Sequence, residues 1–92
     1  MKILANDGIS ESGKNKLEKY GFVVDLTKVS QEQLVDYIND NEISVILVRS
    51  ATQVRADIID NCPSIKIIGR GGVGMDNIDV EYAKSKGINV IN

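Results

Sequence analysis

The 92-residue sequence predicts an α/β domain, a five-stranded parallel sheet with helices on both faces. Three observations predict it. Short apolar runs rich in Ile and Val alternate with helical patterns along the whole chain. The run from Ser44 to Val48 is continuously apolar, as in a strand covered on both faces. The connections are short, and strict β-α alternation makes neighbouring strands parallel.

Lys2 to Ala5 reads as the first strand, closed by the turn residues Asn6-Asp7-Gly8. Ser10 is placed to cap a helix in which Leu17 and Tyr20 share a face, and Gly21 ends it. Phe22 to Leu26 is the second strand. Ser30-Gln31-Glu32-Gln33 has the form of a capping box, with Leu34, Tyr37 and Ile38 as the apolar face behind it. That helix runs out in Asn39-Asp40-Asn41. After the Ser44 to Val48 strand, a third helix is predicted over about Val54 to Asn61, with Ile58, Ile59 and Cys62 inward and Pro63 stopping it. Ile65 to Ile68 is the fourth strand. Asp79 is the predicted cap of a fourth helix through Tyr82 and Ala83, which ends at Gly87, and Ile88 to Ile91 is the fifth strand. Five strands in this pattern favour the flavodoxin-like order 2-1-3-4-5. Ligands of such sheets bind beyond the carboxyl ends of the strands, near the switch point between strands one and three.

Composition excludes several classes of function. Net charge is −2, with acidic and basic residues interspersed and only four aromatic residues, three Tyr and one Phe. A nucleic-acid partner is therefore not expected. No apolar stretch approaches the roughly 18 residues that span a bilayer, so no membrane partner is expected either. The N-terminus enters a strand pattern without signal-peptide features. Cys62 is the single cysteine, which rules out a disulfide framework and a cysteine-held zinc, and it reads as a buried thiol in a reducing cytoplasm. Histidine is absent, so no imidazole base, His-activated nucleophile or His-ligated metal is available.

The chemistry-bearing residues lie where apolar runs end. Arg49 follows Ile46-Leu47-Val48 and opens Arg49-Ser50-Ala51-Thr52; Arg70 follows Ile67-Ile68-Gly69 and opens Arg70-Gly71-Gly72-Val73-Gly74. If both runs are parallel strands, both guanidinium groups project from one edge of the sheet. Guanidinium forks match carboxylate and phosphate geometry, and glycine-loop amides add to the attraction, so this edge suits a small anion. The competing reading is an ion pair of either arginine with Asp7, Asp57 or Asp76. Gly69 to Gly74 also matches G-x-G-x-x-G after a strand. A dinucleotide fingerprint should run straight into a helix with an acidic residue about 20 positions on. Here Met75-Asp76-Asn77 intervenes. A tight turn needing positive φ is the competing role for the glycines, but three in four positions exceed what one turn needs, so close approach of a ligand is favoured. Asn77 is open to three roles: an Asx turn, a helix start or a ligand contact. An Asp after the first strand also occurs in receiver domains, but those need a second Asp where this chain has Val48-Arg49.

Leu47 to Val54 and Lys66 to Asp79, with Gly87 to Asn92, closely resemble the D-2-hydroxyacid dehydrogenase family. The resemblance spans essentially the whole chain. Members oxidise a D-2-hydroxyacid with NAD, and within the family the chain looks most like the branch that acts on a phosphorylated hydroxyacid in serine synthesis. It implies that Arg49 and Arg70 hold the phosphate side of the substrate and that the backbone of Val73 and Gly74, with Asn77 nearby, receives its carboxylate; Ser50 and Gly72 are further expected substrate contacts. It also implies that residues 1–92 are the N-terminal segment of the substrate-binding domain. The catalytic Arg, Glu and His and the NAD-binding domain would lie elsewhere, so this chain alone is expected to bind no NAD and to be inactive. The parent enzyme is expected to be a homo-oligomer through its nucleotide-binding domain. The alternative expectation is a non-catalytic flavodoxin-like module that binds an anion or packs against a partner.

Overall fold

In the computed structural model, residues 1–71 and 76–92 are described. The strands are β1 (Lys2–Ala5), β2 (Val23–Asp25), β3 (Val45–Val48), β4 (Ile67–Arg70) and β5 (Asn89–Ile91). The helices are α1 (Glu11–Lys19), α2 (Leu34–Asp40), α3 (Ala56–Asn61) and α4 (Val80–Ser85), with a 3₁₀ turn at Gln31–Gln33. All strand pairs are parallel, and the sheet order is β2-β1-β3-β4-β5, as the sequence predicts.

Register explains the two faces of the sheet. Leu4, Ile46, Ile68 and Val90 stand side by side across β1, β3, β4 and β5. They share one apolar cluster with Leu34 and Ile38 of α2, Ile58 and Ile59 of α3, and Ala83 of α4. The chain reverses its winding direction at β1, and right-handed crossovers then put α1 on the opposite face. That face is thinly covered, because α1 buries none of its residues. Tyr20, expected to share an inward face with Leu17, is 73% exposed at the helix end, just before the chain turns back at Gly21 with φ +92°. Ser10 caps α1 as predicted, its hydroxyl accepting from the Gly13 amide at 3.1 Å.

Several boundaries differ from the sequence pattern, each for a physical reason. The β2 ladder stops at Asp25, whose carboxylate turns back to accept the Thr27 amide at 2.9 Å and also takes the Tyr37 hydroxyl. The capping box at Ser30 does not form. Ser30 makes no side-chain cap, and Gln31 instead bonds reciprocally with the backbone of Gln53, at 2.8 and 2.9 Å. Helix α3 begins at Ala56 rather than Val54 because Val54 pairs with Ile78 in an isolated bridge. β4 lies two residues later than predicted. The Ile65 amide is taken by Cys62 in a turn, so the ladder reaches Arg70 and makes that arginine the last strand residue.

Cys62 is 1% exposed within the apolar cluster. Burial, reinforced by the nearby Asp57 charge, pushes its thiol up to about 11. A neutral, inaccessible thiol is a poor nucleophile. Alkylation at neutral pH should therefore proceed only as fast as the chain unfolds. Labelling of the native protein at the rate of a free thiol would show the assignment to be wrong.

Candidate functional site

Parallel register brings the two arginines together. Val48 and Arg70 are direct partners across β3 and β4, so Arg49 emerges from the sheet one residue beyond the level of Arg70. The Gly71 amide donates to the Val48 carbonyl at 3.0 Å, holding the start of the glycine segment against the end of β3. A Cβ at Gly71 would stand 3.7 Å from Cγ of Arg49, so the arginine side chain lies along this backbone. Arg49 and Ser50 are exposed, and Arg70 is partly buried. Gly72, Val73 and Gly74 lie outside the described residues.

The Arg49 loop is held from below by the turn after β1. The Asp7 carboxylate accepts the amides of Arg49 at 2.7 Å and Thr52 at 3.1 Å, and the Thr52 hydroxyl at 2.7 Å. Lys28 forms an ion pair with it at 3.1 Å. The competing reading, an ion pair of Asp7 with the Arg49 guanidinium, thus gives way to a bond with the Arg49 backbone. Burial opposes ionisation of Asp7, but the Thr52 hydroxyl, the two amides and Lys28 together outweigh it and lower the carboxyl to about 2. Asn6 is 3% exposed beside it. Its amide donates to the Thr52 hydroxyl oxygen at 2.9 Å and the Val29 carbonyl at 3.0 Å, and its carbonyl accepts the Val29 amide at 2.7 Å. Arg49 takes part in no ion pair among the described residues, and its side chain is exposed at the mouth of the site.

Asn77, 5% exposed, ties the two arginine segments to each other. Its amide donates to the carbonyls of Arg49 at 2.7 Å and Thr52 at 2.6 Å, while its oxygen accepts Nε of Arg70 at 2.8 Å. Of the roles left open for Asn77, this is a fourth: a buried bridge.

Arg55 belongs to the same edge and was not singled out by the sequence. It donates to Gln53 Oε1 at 3.1 Å, to Asp79 Oδ1 at 3.0 Å and to the Asp76 carbonyl at 2.6 Å. This arrangement overturns the predicted role of Asp79. It stands at the start of α4 but makes no cap there; its second oxygen accepts the Ala56 amide at 3.2 Å and so caps α3.

Two cavities meet at Arg70. One, of about 230 Å³, has an aliphatic floor of Leu47, Gly69 and Ile91 and carries Arg49 and Arg70 at its polar end. The other, of about 310 Å³, is lined by Ser50, Gln53, Arg55, Arg70, Asp76 and Asn77. Gly69 shapes the first, since a Cβ there would lie 2.7 Å from Cδ2 of Leu47. Leu47 could give way by a rotamer change, so Gly69→Ala should destabilise by only about 1 kcal/mol while narrowing the cavity. A melting temperature lowered by tens of degrees would contradict this.

Among the described residues the glycine segment lacks the dinucleotide arrangement. Gly69 and Arg70 are strand residues, Gly69 admits the Leu47 side chain, and the next described helix, α4, begins only at Val80. Among the described residues, no cluster of three or more Cys, Asp or Glu is placed to hold a metal ion, and no helix is long and apolar enough to cross a membrane.

Comparison with known proteins bears on the family and the fold. The family profile described as "D-isomer specific 2-hydroxyacid dehydrogenase, catalytic domain" matches residues 3–92. The chain is 45% identical over 92 residues to a D-3-phosphoglycerate dehydrogenase of Methanocaldococcus jannaschii, covering all of this chain and 17% of that protein. It is 59% identical over 51 residues to a hydroxypyruvate reductase of Thermotoga maritima, covering 55% of this chain and 17% of that protein. Among solved structures, an NAD-bound 3-phosphoglycerate dehydrogenase of Entamoeba histolytica superposes with a TM-score of 0.79 at 32% identity, covering 98% of this chain and 32% of that one.

Proposed function

The chain belongs to the D-isomer specific 2-hydroxyacid dehydrogenase family, and from that membership we propose that it is the N-terminal segment of the substrate-binding domain of an NAD-dependent D-3-phosphoglycerate dehydrogenase. The parent enzyme would oxidise 3-phosphoglycerate to 3-phosphohydroxypyruvate in the cytoplasm, at the start of serine synthesis. The observation that carries this reading is the pair Arg49 and Arg70, at the carboxyl ends of the adjacent strands β3 and β4.

In this reading Arg49, Ser50 and Arg70 receive the substrate phosphate. Two guanidinium groups and a hydroxyl match the charge and the several acceptor oxygens of that group. The backbone of Gly72, Val73 and Gly74 receives the carboxylate. NAD, which accepts the hydride in this family's chemistry, would be held by a separate nucleotide-binding domain, since the described part of the glycine segment lacks the dinucleotide arrangement. The family's catalytic Arg, Glu and His would likewise come from outside residues 1–92, and for the His this follows directly, because this chain has no histidine. The role of residues 1–92 is then to bind and orient the substrate.

The identity to a hydroxypyruvate reductase over 51 residues favours a second reading, in which the substrate is an unphosphorylated hydroxyacid or its keto form. Steady-state rates of the full-length protein separate the two. The phosphoglycerate reading expects NADH formation with 3-phosphoglycerate and far weaker turnover of D-glycerate, which lacks only the phosphate. A preference for D-glycerate would reject it. The 92-residue chain alone should form no NADH, and measurable turnover by it would show that the chemistry resides here after all.

A further inference from the structure

We propose that Asn77 is a specificity-determining positioning residue, which sets the separation of the two anion-binding guanidinium groups. The inference rests on the reading that Arg49 and Arg70 grip the substrate phosphate. Asn77 bonds at once to the backbone of one arginine and to the guanidinium of the other. Its third bond, to the Thr52 carbonyl, fixes the far end of the Arg49 loop. The backbone on either side is pinned as well: the Val54 amide donates to the Asn77 carbonyl at 2.8 Å, and the Asp79 amide to the Val54 carbonyl at 3.0 Å.

The chemistry of the amide suits this task. One buried group must supply two donors to carbonyls and one acceptor to a guanidinium, and among side chains of this size only Asn carries both. It binds Nε of Arg70 and leaves the arginine's positive charge unneutralised by that contact. A carboxylate in its place would face two carbonyl oxygens without a proton to offer and would compete with the substrate for Arg70. Asn77 therefore acts on the phosphate through the arginines, and a substrate without phosphate should be nearly blind to it.

The test is a comparison of 3-phosphoglycerate with D-glycerate on the full-length protein, using Asn77→Asp and the uncharged, shorter Asn77→Ser. Either variant should lower kcat/KM for 3-phosphoglycerate about tenfold or more, mainly through KM, and change D-glycerate turnover less than about twofold. In an Arg70→Ala background, Asn77→Ser should cost several-fold less than it does in the wild-type background, because one of the two arginines it positions is gone. Should one variant fail to fold, the other carries the comparison. Equal losses on both substrates, or an undiminished loss in the Arg70→Ala background, would reduce Asn77 to a structural bridge. If Arg70→Ala itself affects the two substrates equally, the phosphate reading falls, and this inference falls with it.

Discussion

Arg49→Ala in the full-length protein is expected to lower kcat/KM for 3-phosphoglycerate about 10- to 100-fold while leaving D-glycerate within a few-fold. A charge-assisted hydrogen bond is worth about 1.5–3 kcal/mol, which is one to two decades in rate. The loss should be largely local. Arg49 is exposed, its guanidinium takes part in no ion pair among the described residues, and its backbone contacts to Asp7 and Asn77 survive the substitution. Thermal stability should therefore change little. Arg49→Lys should recover part of the phosphate affinity, since it restores the charge without the two-pronged fork. Equal losses on the two substrates would remove the phosphate assignment, and a large drop in melting temperature would mean the side chain is structural.

Asp7→Ala should have the largest effect on stability of any single change at this edge, about 2–3 kcal/mol. It removes the acceptor for two amides and a hydroxyl, and hydrogen bonds of this kind contribute about 1 kcal/mol each. The Lys28 ion pair adds little to that figure, because Lys28 is well exposed. The pH dependence carries a definite sign. The folded carboxyl lies near 2, below its ordinary 3.8. Its contribution is thus complete above about pH 4 and is lost as pH falls toward 2. Asp25 adds to the same acid limb. Burial opposes its ionisation, but the Tyr37 hydroxyl, Thr27 and Lys2 hold its carboxyl below the usual value. Asp7→Ala should accordingly lower stability at neutral pH and flatten, without abolishing, its decline in acid. Denaturant titrations between pH 2 and 7 read this directly. An unchanged acid limb would mean that Asp7 is not the acceptor described.

The fold was legible because its signals are local. Ser10 caps α1 from three residues away, and the apolar spacing of Leu34 and Ile38 describes the helix they occupy. The position of Arg49 and Arg70 at the ends of strands was legible for the same reason, and parallel pairing then made them neighbours. The capping box at Ser30 and the cap at Asp79 misled because each was a local pattern with a stronger distant partner. Gln31 reaches Gln53 across 22 residues, and Asp79 reaches Arg55 across 24. Asn6 and Arg55 carried little local signal. A turn residue beside the switch point was the single clue to Asn6, and nothing in the sequence separated Arg55 from an exposed helix-start charge.

The sequence by itself determined the α/β class, the strand order and the sheet edge that carries two arginines, because periodicity, turn residues and crossover handedness act over short distances. Only the tertiary structure decided how those arginines are held. The Asp7 carboxylate meets Thr52 45 residues away, and Asn77 meets the Arg49 carbonyl across 28. Such partners are chosen by what folding brings within hydrogen-bond reach, and a buried polar group takes whichever donor or acceptor is there to satisfy it.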